Sequence, residues 1–434
     1  MLTCNKLLQA LEQGSYDRQL TQLYAPDGDP SALEAAKARV RSAIRQFDAL
    51  FSPGARFPVA LFSSPGRTEL GGNHTDHQHG QVLCASVNLD ILACASPNGT
   101  NLIRVCSEGY PALHVMLGDL EAQPEEINTS AALVRGVAAS IAALDLPVNG
   151  FDLYMTSQVL SGSGLSSSAA YEILIGTVIN HFFCGGTLSP LALAKIGQFA
   201  ENNYFGKPSG LMDQCGCAMG GAVFLDFADA AQPAVTKLNF DFSATGYTLC
   251  LIDTGSCHAD LTESYAEITR EMGAVALLFG KKVLREVPEE DFMQSIPALR
   301  DAVGDRAVLR ALHFYAENRR ALEEAQALES GDFPAFLELV RQSGRSSTMN
   351  LQNTWSISTP EQQAIPLTLA LGEQCLRGAG AIRVHGGGFA GTVQAFVPTE
   401  QLEYFRGQME AFLGAGACHI LRVRHQGSRA VIFE

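Results

Sequence analysis

Two kinds of apolar pattern alternate along the chain. Leu33, Val40, Ile44, Phe47 and Leu50 recur at spacings of three, four and seven behind Asp29 and Ser31, which predicts a helical lead-in. After it come short runs rich in valine, isoleucine and leucine, VALF, QVLCASVNLDILACAS, NLIRVCS and ALHVML, separated by glycine and asparagine turns. These predict strands. Helical patterns follow at residues 130–143, 167–183 and 190–204. A polar, proline-containing stretch over 226–241 interrupts the apolar runs GGAVFLDF and YTLCLIDT, and a domain seam is placed there. The second half is mostly helical over 260–376 and ends in the strand-like runs AIRVHG, TVQAFVP and HILRVRH. No internal repeat or low-complexity tract is visible. Mixed helices and strands in two halves predict α+β lobes with a cleft between them.

Composition narrows the function classes. A chain of 434 residues with 47% hydrophobic and 17% charged positions is long enough for two packed domains and too apolar for disorder. Its formal net charge of -15 argues against nucleic acid or an anionic membrane as the main partner. An anionic substrate therefore needs a local positive pocket. The eleven cysteines are odd in number and scattered, which suggests neither a disulfide framework nor a zinc ribbon and favours a reducing cytoplasm. The start, MLTCNKLLQALEQGSYDRQL, lacks the apolar core of a signal peptide, and no run approaches the roughly 18 apolar residues of a membrane helix.

Four glycine-rich stretches carry the candidate chemistry. SGSGLSSSAAYEIL, residues 161–174, leads glycines and serines into an apolar helical pattern. Glycines let a backbone approach an anion, and a helix start supplies N–H donors and a positive dipole, so the stretch reads as a phosphate cradle. Taken alone, it also reads as a flexible turn with a serine cap. The Walker pattern is absent, because neither Gly-Lys pair, at Gly206 and Gly280, has the upstream glycine. ENNYFGKPSGLMDQCG, residues 201–216, sets Asp213 in a weakly charged segment, as a general base or as a helix cap. RVHGGGFAGTVQAF, residues 383–396, permits close backbone contact, with a ligand or with a facing element. SPGRTELGGNHTDHQHG, residues 64–80, has three histidines in six residues and reads either as a metal site or as a ligand loop at a strand end.

Together and in order, these stretches carry a resemblance. PGRTELGGNHTDHQHG resembles the galactokinase signature, SGSGLSSSAA the phosphate loop of the GHMP small-molecule kinases, GKPSGLMDQ the galactokinase segment that bears the catalytic aspartate, and GGGFAGT the third glycine motif. HADLTESY, residues 258–265, is a weaker match between them. The resemblance implies a two-lobed GHMP kinase fold. Its parts would be a helical amino-terminal extension (1–54), an amino-terminal domain like ribosomal protein S5 domain 2 (55–235) and a ferredoxin-like carboxyl-terminal domain (236–434). ATP and a sugar would meet between the lobes.

It also implies roles by position. Asp213 would be the base, with Arg67 beside it. Ser168 and Glu201 would hold Mg²⁺, and the loop Ser161, Gly162, Ser163, Gly164, Leu165, Ser166, Ser167 and Ser168 would wrap the phosphates. His74, Asp76, Gly210 and Tyr265 would contact the sugar, with Asn73 near its carbon six. On this reading the histidines belong to a sugar loop. The expected activity is transfer of the γ-phosphoryl group of ATP to the C1 hydroxyl of galactose or a close relative.

The chain departs from the family at specific positions. Galactokinases usually carry glutamate where Asn73 stands and tyrosine where His77 stands, and the run DHQ, residues 76–78, is similar to the loop of plant galacturonate kinases. A neutral Asn73 would tolerate a carboxylate on carbon six, which makes galacturonate an alternative substrate. A non-catalytic sugar sensor is a further alternative, disfavoured by the retained Asp213 and Arg67. A histidine-metal hydrolase would need bound metal and no ATP. In the third glycine motif, His385 and Ala390 replace threonine and glycine and read as tolerated packing.

Overall fold

The computed structural model describes residues 2–52, 57–160, 164–207, 209–256, 262–389 and 391–433. Ser161, Gly162, Ser163, His258 and Ala390 of the sequence reading lie outside the described residues.

Three helices open the chain, α1 (Cys4–Glu12), α2 (Asp17–Tyr24) and α3 (Pro30–Phe51). Asp29 caps α3 by accepting from the Ser31 N–H at 2.8 Å, and Pro30 takes the first helical position, where no N–H is missed. Leu7, Leu11, Leu20, Ile44 and Phe47 pack with Leu61, Leu92 and Ile432 of the first sheet, so the extension is welded to that sheet. Arg39 of α3 and Tyr24 of α2 also reach Asp90, a fully buried carboxylate that Ser63 and Arg424 contact from other sides.

The first sheet contains β1 (Ala60–Gly71), β2 (Gln81–Pro97), β3 (Leu102–Ser107), β4 (Leu113–Met116), β5 (Phe151–Ser157), β6 (Ala222–Asp226), β7 (Ala234–Lys237) and a strand from far down the chain. The second sheet is formed by β8 (Tyr247–Asp253), β9 (Ala381–Val384), β10 (Thr392–Pro398) and β11 (Cys418–Leu421), all antiparallel in the order β11-β8-β10-β9. The far strand is β12 (Arg429–Ile432), antiparallel to β1, with Leu61 opposite Ile432 and Phe62 opposite Ala430. The expected seam at 235/236 falls inside β7, which pairs with β6, so the chain crosses to the second sheet between β7 and β8 and returns at β12.

Helices α4 (Ser130–Ala142), α5 (Ser167–Phe182), α6 (Pro190–Ala200) and α7 (Met212–Met219) serve the first lobe. Ser189 caps α6, but the predicted helix to 204 changes character at Glu201, where a five-residue π-turn (Glu201–Phe205) ends at Gly206. A helical middle section follows, α8 (Thr262–Leu278), α9 (Glu289–Val303), α10 (Asp305–Ser330) and α11 (Phe333–Ser346), and α12 (Ala364–Leu376) and α13 (Leu402–Leu413) complete the second lobe. The second sheet is buried on both faces, as the period of two requires. Cys250 and Ile252 face the core of α12 and α13, while Leu249 and Leu251 face the main core with Phe336 and Phe396.

Candidate active site

The site begins with an irregularity in β1. Its register against β2 jumps between Pro65, opposite Asp90, and Arg67, opposite Ser86. A bulge of this kind re-aims side chains, and it brings Gly66 and Arg67 against the phosphate loop. A Cβ on Gly66 would stand 2.9 Å from the Leu165 carbonyl, which explains glycine there, and that same carbonyl accepts from the Arg67 N–H at 3.1 Å.

Ser166 enters α5 in the left-handed region, at φ 57°, and its side chain makes no cap bond to the helix. Its hydroxyl instead donates to Asp213 Oδ2. The first N–H groups of α5, a helix of 16 residues, are left with their positive dipole facing the site, as an anion cradle needs. Arg67 also donates to the Gly164 carbonyl, tying the loop to β1.

Asp213 lies in the first turn of α7. Its Oδ1 accepts from Arg67 Nε at 2.9 Å and Nη2 at 2.6 Å. Gly216, one turn on, lets the helix settle on the stem of that arginine, since a Cβ would meet Arg67 Cβ at 2.7 Å. Burial pushes the Asp213 carboxyl up, but Arg67, then Lys207, together with hydrogen bonds from Ser166 and Arg67, pull it further down, and it stays below its ordinary range. The Asp213 side chain keeps 22% of its surface exposed, so an ionised carboxylate remains reachable.

Next to it stands the expected metal pair. Ser168 Oγ donates to Glu201 Oε1 at 3.0 Å, and Lys207 Nζ reaches the same oxygen at 3.1 Å. Gln214 Nε2 bridges Glu201 Oε2 at 2.9 Å and Glu172 Oε2 at 3.1 Å. Burial first, and Glu201 second, push Glu172 well above the ordinary carboxylate range. Serine and glutamate offer hard oxygens suited to Mg²⁺. Among the described residues no group of three or more His, Cys, Asp or Glu could hold a metal alone. That donor set fits an ion taking most of its ligands from phosphates and water.

The sugar loop turns on His74, at φ 62°, and His79, at φ 58°, with a short 3-10 turn (Asp76–Gln78) between them. Asp76 Oδ1 accepts from the His77 N–H at 3.0 Å. Its Oδ2 lies only 2.0 Å from where a Cβ on Gly210 would be, so Gly210 and Asp76 form one surface. His74 Nε2 sits 3.0 Å from the Gly387 carbonyl, and burial, with His77 adding to it, pulls its imidazole down to about 3. That ring is neutral near pH 7. Tyr265 donates to the Gly388 carbonyl at 2.8 Å and packs over Gly387, where a Cβ would approach the ring to 2.4 Å. The triple glycine thus serves a facing element of the protein.

Asn73 departs from the expected placement. It is fully buried, with Nδ2 donating to Glu69 Oε1 at 3.0 Å and to the Gly386 carbonyl at 2.6 Å, and Oδ1 accepting from Asn353 at 2.9 Å. Glu69 is in turn paired with the buried Arg383. The amide latches the sugar loop to the glycine loop and has no free donor for a ligand. His385 does more than pack, since its ring lies 3.1 Å from both Thr68 Oγ1 and Thr392 Oγ1. Sequence reasoning missed Ser166 as a partner of Asp213, and it missed Lys207, Gln214 and Glu172. All four lie inside the quoted motifs, but nothing in their spacing shows that their side chains converge.

Comparison with known proteins identifies the family of the chain. The family described as GHMP kinases N terminal domain matches residues 132–221, and the galactokinase galactose-binding signature matches residues 45–97. A galactokinase of Streptomyces coelicolor is 31% identical over 363 residues, 83% of this chain and 90% of that protein. One from Actinobacillus pleuropneumoniae is 31% identical over 79% of this chain and 86% of its own length. Among solved structures, Lactococcus lactis galactokinase complexed with galactose superposes with a TM-score of 0.76 at 26% identity, covering 90% of this chain and 99% of that one. A mevalonate kinase at 14% identity, TM-score 0.59, covering 83% of this chain and 98% of its own, shares the fold.

A two-lobed α+β fold of this kind, with the family match over residues 132–221, places the chain among the GHMP small-molecule kinases. ATP is the phosphoryl donor that this class implies. Within it, the chain belongs to the galactokinase family and is a sugar kinase.

Proposed function

We propose that this kinase transfers the γ-phosphoryl group of ATP to the C1 hydroxyl of galactose, with Mg²⁺ held by Ser168 and Glu201. The observation that carries the reading is the short segment from Gly210 to Asp213. At one end it abuts Asp76, an acceptor for sugar hydroxyls, and at the other its carboxylate touches Ser166 of the phosphate loop. A hydroxyl held by Asp76 and a phosphate held by α5 therefore meet beside Asp213, and positioning of this kind supplies much of phosphoryl-transfer catalysis.

Each side chain has a role consistent with its surroundings. Arg67 keeps Asp213 ionised and presents positive charge to the transferred group. A carboxylate held below its ordinary range is a weak base toward a ground-state alcohol. Asp213 Oδ2 therefore takes the proton as the new P–O bond forms and the hydroxyl becomes acidic. Bound Mg²⁺ would neutralise phosphate charge, which leaves Ser168 and Glu201 to fix its place.

Galactose is favoured over galacturonate by the state of Asn73. A sugar carboxylate there would find both amide donors engaged and the Glu69 carboxylate behind them. A cytoplasmic location, where ATP is plentiful and eleven thiols stay reduced, belongs to the same reading, as does a division into a helical extension and two lobes, the chain crossing between the lobes after β7 and returning at β12. The test is a panel of hexoses and hexuronic acids with ATP and Mg²⁺, following ADP release and identifying the α-1-phosphate by phosphorus NMR. Turnover of galactose is expected. Turnover of galacturonate with none of galactose would refute the reading.

A further inference from the structure

The π-turn that interrupts the end of α6 has an unusual closure. The N–H groups of Gly206 and Lys207 both donate to the Glu201 carbonyl, at 3.0 and 3.1 Å. The backbone of Lys207 is thereby pinned to Glu201, and its side chain folds back onto the carboxylate of that same residue. Nζ stands 3.1 Å from Oε1, its one hydrogen-bonded acceptor among the described residues. The two partners differ sharply in exposure. Glu201 keeps 1% of its side-chain surface, whereas Lys207 keeps 54%. A buried carboxylate needs a compensating charge, and a half-exposed lysine on a four-carbon stem can deliver one and withdraw it.

Oε1 is also the oxygen that Ser168 reaches. The hydroxyl of Ser168 can turn its proton away and offer a lone pair to a cation, but an ammonium has no lone pair and must leave. The geometry points to Lys207 as a tethered stand-in for the divalent ion: its ammonium occupies Glu201 while the metal is away and is displaced when the metal binds. Metal binding is then an exchange of one cation for another. Glu201, with Glu172 close behind Gln214, is never left uncompensated. The cost is a lower affinity for the ion than Glu201 and Ser168 alone would give. This inference rests on the reading of Ser168 and Glu201 as the metal pair.

Binding of Mn²⁺, followed by the loss of its free paramagnetic resonance signal at a saturating β,γ-imido analogue of ATP, separates the two claims. Lys207→Met is expected to bind Mn²⁺ about fivefold tighter than the natural chain, the upper range for a half-exposed ion pair. Glu201→Gln is expected to bind it more weakly. If Glu201→Gln leaves the affinity unchanged, the metal pair itself is wrong. If Glu201→Gln weakens binding while Lys207→Met leaves it unchanged or weakens it, the metal pair stands and the displacement idea is overturned. A second readout is the thermal midpoint in chelator, expected to fall in Lys207→Met and to recover on adding Mn²⁺ with the analogue. A midpoint that does not fall, or a loss that Mn²⁺ leaves untouched, counts against it. Should Lys207→Met fail to fold, Lys207→Gln carries the same expectations.

Discussion

Replacing Gly210 with alanine adds one methyl group at a place where the backbone can accept it, since Gly210 is not among the residues with positive φ. The new Cβ would lie 2.0 Å from Asp76 Oδ2 and 2.7 Å from its Cγ, whereas ordinary contact starts near 3.4 Å. The carboxylate must therefore retreat by about 1.4 Å, the difference between 3.4 and 2.0 Å. It can do so by rotating, because it is the end of a short side chain held on this side by one bond from the His77 N–H. Folding should survive. What is lost is the position from which Asp76 meets a sugar hydroxyl, and a hydrogen bond to a charged group is worth roughly 1.5–3 kcal/mol. At about 1.4 kcal/mol per tenfold, that is a rise of roughly ten- to a hundredfold in KM for galactose. KM for ATP, whose phosphates are assigned to the other end of the segment, should stay within about twofold of the natural value. The assay is steady-state ADP release with each substrate varied in turn, beside a thermal melt. A folded Gly210→Ala enzyme with an unchanged sugar KM would show that Asp76 is not a sugar ligand.

Three further outcomes are expected. Asp213→Asn should lower kcat by about 10²- to 10⁴-fold while an ATP analogue still binds, measured by single-turnover kinetics and calorimetry, and near-normal turnover would remove Asp213 as proton acceptor. Glu324 is fully buried, with neither carboxylate oxygen hydrogen-bonded among the described residues, and burial, with Glu317 adding to it, raises it well above the ordinary range, so it is protonated when folded. Its unfolded form sheds that proton above about pH 4.5, so its stability contribution is whole below that value and is lost as pH rises. Glu324→Gln, neutral in both states, should therefore gain in melting temperature over the natural chain as pH goes from 5 to 8, and a pH-independent difference would contradict this. Arg39→Met leaves buried Asp90 with Arg424 as its one cationic partner among the described residues and should cost about 3 kcal/mol in denaturant unfolding, and a loss under 1 kcal/mol would mean the pair is not needed.

Much of the fold was legible where side-chain chemistry acts locally. Asp29 and Ser189 cap the helices that follow them, and the runs rich in valine, isoleucine and leucine became β2, β3, β4, β6, β8, β9, β10 and β11. β5 escaped although FDLYMTS alternates apolar and polar residues, because the run is short and carries Asp152, which is buried by pairing with Arg104 of the neighbouring strand and by a bond from Asn98. α1 and α2 escaped because each is short, nine and eight residues, although Cys4, Leu7 and Leu11 recur at helical spacing. The motifs located the site, yet the direction of Asn73 was not readable from them. It is fixed by Glu69 within the same motif together with Asn353 and Gly386, which come from far down the chain. The same holds for the buried set of Glu69, Glu317, Glu324 and Arg383, where an acid of β1 shares one compartment with two acids of α10 and an arginine of β9.

The pairing of β12 with β1 bears on how the protein is made. β1, which bears Arg67, emerges early from the ribosome with β2 as its neighbour on one side, but its opposite edge waits for a strand near the far end of the sequence. At roughly 5–20 residues per second of synthesis, that wait lasts on the order of tens of seconds. Throughout it, the Leu61-Phe62-Ser63 edge is an open template for pairing with other chains. The growing polypeptide therefore carries an unpaired edge on its earliest strand through most of its synthesis, and damage at residues 429–432 should show itself first as aggregation during expression.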